Sequence, residues 1–221
     1  MKYYPIYLDI NHRSCLVIGG GSVGTRKAVT LLACGANVTV VSLAATEKLH
    51  ELSSTGEIDL KKRAFRTSDL DGRFLVIVAT DNQDLNFKIH SEAERRGLLC
   101  NVADQPEACN FILPSIVNRG DLTIAISTSG KSPAFAKSLR MHLETEFGDE
   151  YAEFLNLMGV IRKKLSKEHS EPEAHKDLYE ALIQRDLVHM LKDGRIDDIN
   201  SLLLEILGEG FELRSLMDKY Q

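Results

Sequence analysis

Gly19, Gly21 and Gly24 stand in G-x-G-x-x-G order directly behind the apolar run Ser14–Ile18. This spacing suits a ligand that carries a pyrophosphate. The first glycine makes a tight turn, the second lets backbone approach the phosphates, and the third lets a helix pack closely on a strand. A helix opening through Ser22 and Val23 adds unpaired amides and a partial positive charge at its N-terminus. A dinucleotide site is therefore the first expectation.

Other chemistry-bearing residues recur after apolar runs. Ser42, Leu43 and Ala44 follow Asn37–Val41 (NVTVV), where an adenosine ribose is usually held by Asp or Glu. Neither acid is there and no Arg replaces it, so chemistry alone leaves NAD and NADP both open. Thr80 and Asp81 follow FLVIVA at 74–79, with Asn82 as a candidate cap for the next helix. Asn101-Val102-Ala103-Asp104 closes the run Leu98–Val102, and a carboxylate at position 104 could take a proton beside a hydride acceptor. Ser127, Thr128 and Lys131 lie in the segment STSGKSP, with Arg140 two turns further on. That segment suits carboxylates or phosphates, yet it is no P-loop, because Ala125 stands where that motif needs Gly. Arg26 and Lys27 are either solvated helix charges or contacts to an anion.

These residues need particular elements to hold them. Strand signals at 14–18, 37–41, 58–60, 74–79 and 98–102 alternate with helix signals at 22–34, 45–53 and 82–96. Such alternation predicts an α/β fold, a doubly wound parallel sheet whose ligands bind at the carboxyl ends of the strands. A further strand covers 121–127. Ser132-Pro133 then opens a helix, Ser as cap and Pro at the first position. Helices are expected over 149–166, 174–192, 195–207 and 211–220, with a linker at Ser170-Glu171-Pro172 separating the first two. The expected organisation is a dinucleotide-binding Rossmann-like domain over 1–113, a small α+β segment over 114–147 and an all-helical domain over 148–221.

Composition narrows the functional classes. The 221 residues are 43% hydrophobic and 27% charged, which is a globular balance. Residues 1–113 carry 13 basic and 13 acidic side chains, 114–147 carry 4 and 3, and 148–221 carry 10 and 16. The net charge of −5 thus comes from the last third, and no basic stripe suggests nucleic acid. No apolar run reaches the roughly 18 residues of a membrane span. The N-terminus lacks a signal-peptide core, so the expectation is a cytoplasmic protein. Of the four cysteines, Cys15, Cys34 and Cys100 sit in apolar stretches and are expected to pack as small hydrophobes, while Cys109 lies in a polar loop. No C-x-x-C or H-x-x-x-H spacing suggests a metal site.

Taken together, GGGSVGTRK at 19–27, ATDN at 79–82 with Leu85-Asn86, NVAD at 101–104, FILP at 111–114 and ISTSGKSPA at 126–134 with Arg140 resemble the precorrin-2 dehydrogenase module of the siroheme synthase family. The blocks keep their order over residues 5–147, and the helical tail resembles the family's dimerisation region more loosely. The resemblance implies NAD-dependent oxidation of precorrin-2 to sirohydrochlorin, with iron insertion to give siroheme in some members. It implies a homodimer, with precorrin-2 as partner and ferrous ion as a further substrate where chelation occurs. It assigns Gly19, Gly21, Ser22, Val23 and Gly24 to the pyrophosphate, Ser42, Leu43 and Ala44 to the adenosine, and Asp104 to dehydrogenation. Thr80, Asp81 and Asn101 complete the expected cofactor set. Ser127, Thr128, Lys131 and Arg140 form the expected substrate set. Two positions depart from the family: Gly24, usually Ala, and Ser129, often Gly. The alternative reading is a Rossmann nucleotide-sensing module regulating a transporter. Such modules usually keep the acid that Ser42 replaces and have no need of the 127–132 loop.

Overall fold

The first apolar runs pair as buried parallel strands. β1 (Ser14–Gly20), β2 (Asn37–Ala45), β3 (Ile58–Lys62), β4 (Leu75–Val78) and β5 (Leu99–Val102) form one sheet in the order β3-β2-β1-β4-β5, every pairing parallel. The computed structural model describes residues 2–168 and 175–218. The order reverses direction at β1, between β2 and β4, which is where the glycine turn leaves the sheet. Alternate side chains feed two cores. Cys15, Val17, Val38, Val40 and Ile77 pack with α1 (Ser22–Ala33) and α2 (Glu47–Ser54). Leu16, Ile18, Val76, Val78 and Cys100 pack with α3 (Gln83–Arg95) on the opposite face. Burial on both faces explains why these strands read as continuous apolar runs rather than alternating ones.

The chain divides into two compact units, Met1–Leu113 and Pro114–Gln221. In the second, β6 (Ser115–Arg119) and β7 (Leu122–Ile126) form an antiparallel hairpin. Val117 and Ile126 pack with Ala136 of α4 (Pro133–Glu146). Ser132 caps α4 by accepting the Phe135 N–H, with Pro133 at the first helical position, as expected from the sequence. α5 (Glu150–Glu168), α6 (Lys176–Gln184), α7 (Leu187–Lys192), α8 (Ile196–Leu207) and α9 (Leu213–Asp218) share a core around Leu157, Ile161, Leu182, Leu187 and Leu203.

Several expectations change. β2 runs on past the expected end at Val41, through Ser42, Leu43 and Ala44 to Ala45. β3 reaches Lys62 because Ser42 pairs with Lys62 in parallel register. β6 carries no strong apolar run of its own and is a strand because it pairs with β7. The helix expected over 174–192 is two helices, α6 and α7. The break falls at Arg185 and Asp186, where Asp186 takes the left-handed φ of 62°. The 170–172 linker, residue 174 and the end of the 211–220 helix lie outside the described residues. Cys15 and Cys100 are buried as expected, but Cys34 is exposed, because it is the cap residue beyond the last turn of α1.

Candidate functional site

The glycine turn forms one wall of a cleft of about 570 Å³. Gly19 adopts φ 113°, and a Cβ there would stand 2.1 Å from the Ala79 carbonyl oxygen at the end of β4. Only glycine lets β1 turn this close to β4. A Cβ on Gly24 would stand 2.0 Å from the Gly19 carbonyl oxygen, so the third glycine seats α1 against the end of β1. Gly21 is different. It is exposed, nothing lies within 4 Å of where its Cβ would be, and it caps α1 without a side-chain oxygen. The first-turn amides of α1 therefore face an open space bounded by backbone, as a pyrophosphate requires. The residues fit a dinucleotide.

Gly19, Gly20, Gly21, Ser22 and Val23 line the cleft with Ser42, Leu43 and Ala44 of β2, and with Thr80, Asp81 and Asn82 beyond β4. Leu43 is 76% exposed, an apolar side chain open to a planar ligand. The 80–82 corner is held tightly. The Thr80 hydroxyl lies 2.5 Å from Asn86 Oδ1, Asn86 donates to the Thr80 carbonyl at 2.9 Å, and Asn82 caps α3 by accepting the Leu85 N–H at 2.9 Å. Asn86 is buried on α3, so the helix itself fixes this lip of the cleft.

Two expected cofactor residues do not line it. Gly24 is covered by the packing of α1 on β1. Asn101 donates from its side chain to the Phe111 carbonyl at 3.0 Å, tying β5 to the chain that follows. The structure adds Arg63, Ala64, Phe65 and Leu85 to the lining. The sequence shows no arginine at the tip of β2; the structure supplies one from just beyond the neighbouring strand. The signal was the strand order, since β3 lies beside β2 in this type of sheet.

Asp104 lies outside the lining of the cleft. It is exposed beyond β5 with a left-handed φ of 61°, a conformation that Asp tolerates better than most residues. Its turn is clamped. The Ala103 N–H extends the ladder to the Val78 carbonyl at 2.8 Å. The half-buried Cys109 thiol sits 3.3 Å from the Val102 carbonyl and 3.2 Å from that of Gln105, and accepts the Val102 N–H. Lys27 of α1 is the electrostatic neighbour of Asp104. Burial pushes the Lys27 ammonium below its usual range, Arg26 pushes the same way, and Asp104 opposes both.

The expected substrate residues lie in the second unit. Ser127 accepts the Ser129 N–H at 3.0 Å and Thr128 accepts the Ser132 N–H at 3.2 Å, so both hydroxyls shape the turn. Ser129 and Gly130 have φ 53° and 80°. Lys131 is exposed. Arg140 forms an i,i+4 pair with Glu144 at 2.5 Å and is not a free cation. Among the described residues, no three His, Cys, Asp or Glu side chains gather as metal ligands.

Residues 6–115 match the family model described as "Putative NAD(P)-binding", and residues 119–146 match "Sirohaem biosynthesis protein central". Similar curated proteins include the siroheme synthase of Methylococcus capsulatus, 35% identical over 93% of this chain and 43% of that protein. The siroheme synthase of Thioalkalivibrio sulfidiphilus is 35% identical over 97% of this chain and 44% of that protein. The chain thus spans less than half the length of these relatives. A solved structure described as SirC, precorrin-2 dehydrogenase, is similar at a TM-score of 0.78 and 27% identity, over 92% of this chain and 98% of that one.

Proposed function

We propose that this chain, which belongs to the siroheme synthase family, catalyses the NAD-dependent oxidation of precorrin-2 to sirohydrochlorin. The observation that carries the proposal is the glycine-walled cleft at the point where the sheet order reverses, in a chain that also carries the sirohaem central segment. NAD⁺ bound there supplies the hydride acceptor. The first-turn amides of α1 hold its pyrophosphate, and Ser42, Leu43 and Ala44 bound its adenosine end.

Oxidation removes a hydride and a proton from the substrate carbon skeleton. Asp104 takes the proton: its carboxylate stands on a clamped turn at the tip of β5, next along the sheet from the β4 lip of the cleft. Ser127, Thr128 and Lys131 receive substrate carboxylates, the hydroxyls through the turn amides that they orient and Lys131 through its charge. Arg140 joins them only by giving up Glu144.

The reading extends to a homodimer in the cytoplasm. Exposed Ile116, Phe135 and Met141 on β6 and α4 favour assembly, and four free cysteines suit a reducing compartment. It extends also to insertion of ferrous ion into sirohydrochlorin, two pyrrole protons leaving as iron enters, because the curated relatives are named for siroheme. The deciding experiment incubates purified protein anaerobically with precorrin-2 and NAD⁺. Sirohydrochlorin absorbance and NADH should rise together. NAD⁺ binding without turnover would leave a nucleotide sensor, and adding ferrous ion to sirohydrochlorin decides the second activity.

A further inference from the structure

The adenosine end of the cleft lacks the acid that an NAD-selective site normally carries. An acid at the tip of β2 would accept the ribose 2′-hydroxyl and repel a 2′-phosphate. Ser42 is at that position, and its register partner on β3 is Lys62, exposed and in no salt bridge among the described residues. Arg63 follows directly and lines the cleft with Ser42. Lys61 is already paired with Asp59 at 3.4 Å.

Arg63 is preorganised. Its Nη1 donates to Asp69 Oδ2 at 2.8 Å and to the Ala64 carbonyl at 3.0 Å, and its Nη2 donates to Asp69 Oδ1 at 2.6 Å. Asp69 is 5% exposed and also accepts the Arg66 N–H at 2.8 Å, so the guanidinium is anchored from behind. The anchoring uses the end of the guanidinium. The Nε–H and the second Nη2 hydrogen, which together make the side-on fork, donate to nothing within the described residues. A side-on guanidinium fork matches two phosphate oxygens.

We propose that Ser42, Lys62 and Arg63 form a 2′-phosphate subsite, so that the cleft accepts NADP⁺ as well as NAD⁺. This rests on the dinucleotide reading of the cleft. It concerns affinity for the nucleotide and does not depend on which substrate is oxidised.

The test is direct binding to the intact chain, by calorimetry, of NAD⁺, NADP⁺, 5′-AMP and 2′,5′-ADP. NADP⁺ should bind with a Kd no more than about tenfold above that of NAD⁺, and 2′,5′-ADP should bind more tightly than 5′-AMP. Arg63→Lys keeps the charge and loses the fork, and should weaken NADP⁺ by about tenfold while sparing NAD⁺. Ser42→Asp leaves the Arg63–Asp69 anchor intact and guards against a folding defect. It should weaken NADP⁺ and tighten NAD⁺, so that the ratio of their Kd values rises by at least about tenfold. A larger gap between the two nucleotides in the unsubstituted protein overturns the subsite, as does Ser42→Asp acting equally on both. Failure of every nucleotide to bind would instead overturn the dinucleotide reading.

Discussion

Asp104 combines an exposed carboxylate with a left-handed backbone, and its turn is laced by Cys109 to Val102 and Gln105. A residue held in that conformation by its surroundings is where fold strain and function often coincide. Under the proposed function, Asp104→Ala should lower kcat for sirohydrochlorin formation by about 100-fold or more, the usual range for losing a general base, the role proposed for it above. The Kd for NAD⁺ should stay near normal, since Asp104 does not line the cleft. Unchanged turnover would remove it from the mechanism. The thiols make a second residue-scale prediction. Burial pushes Cys15 up to about 11 and Cys100 up to about 12, and raises Cys109 as well. Only Cys34 is exposed. At mildly alkaline pH one thiol should react quickly with an aromatic disulfide reagent, and Cys34→Ser should abolish that fast phase.

At the scale of elements, the site depends on how closely β1, β4 and α1 approach one another. Gly19→Ala places a Cβ 2.1 Å from the Ala79 carbonyl oxygen at a φ of 113°. It should lower unfolding free energy by at least about 2 kcal/mol and abolish NAD⁺ binding, measurable by urea titration and calorimetry. The end of α3 is tied electrostatically. Glu92 accepts from Arg95 at 2.7 and 3.0 Å and from Arg96 at 2.6 Å, and Arg96 also pairs with Asp71. The side-chain bonds from Arg95 and then Arg96 hold the Glu92 carboxyl at about 2, down from 4.5. A depressed carboxyl stabilises the fold above its ordinary range and loses that contribution as pH falls through the folded value. The loss should therefore appear between pH 4.5 and about 2. Glu92→Gln should flatten the urea midpoint across that window; an unchanged pH profile would rule the pair out as a stabilising element.

At the scale of the whole molecule, the cores are separate. The sheet is packed by Val17, Val40, Leu16 and Ile89, all in the first unit, whereas Leu157, Leu182 and Leu203 belong to the second. Leu203 has no exposed surface. Leu203→Ala should cost about 2–5 kcal/mol in the second unit, visible as earlier loss of helical signal on heating. Nucleotide affinity at low temperature should be retained, because the cleft is built from the first unit alone. Parallel loss of both would mean that the two cores unfold together.

The amino-acid order by itself determined the parallel sheet and the glycine turn, because β-branched runs and G-x-G-x-x-G act through neighbours a few residues apart. It also marked the Ser132 cap and the tips that carry Ser42, Thr80 and Asp104. Tertiary structure decided what lies across a strand boundary. Register set Lys62 opposite Ser42, and the packing of the fold brought Arg63 into the cleft, turned Asn101 toward Phe111 and left Cys34 in solvent. The physical reason is range: strand and turn signals are local, whereas pairing and burial depend on partners whose separation along the chain carries no periodic trace.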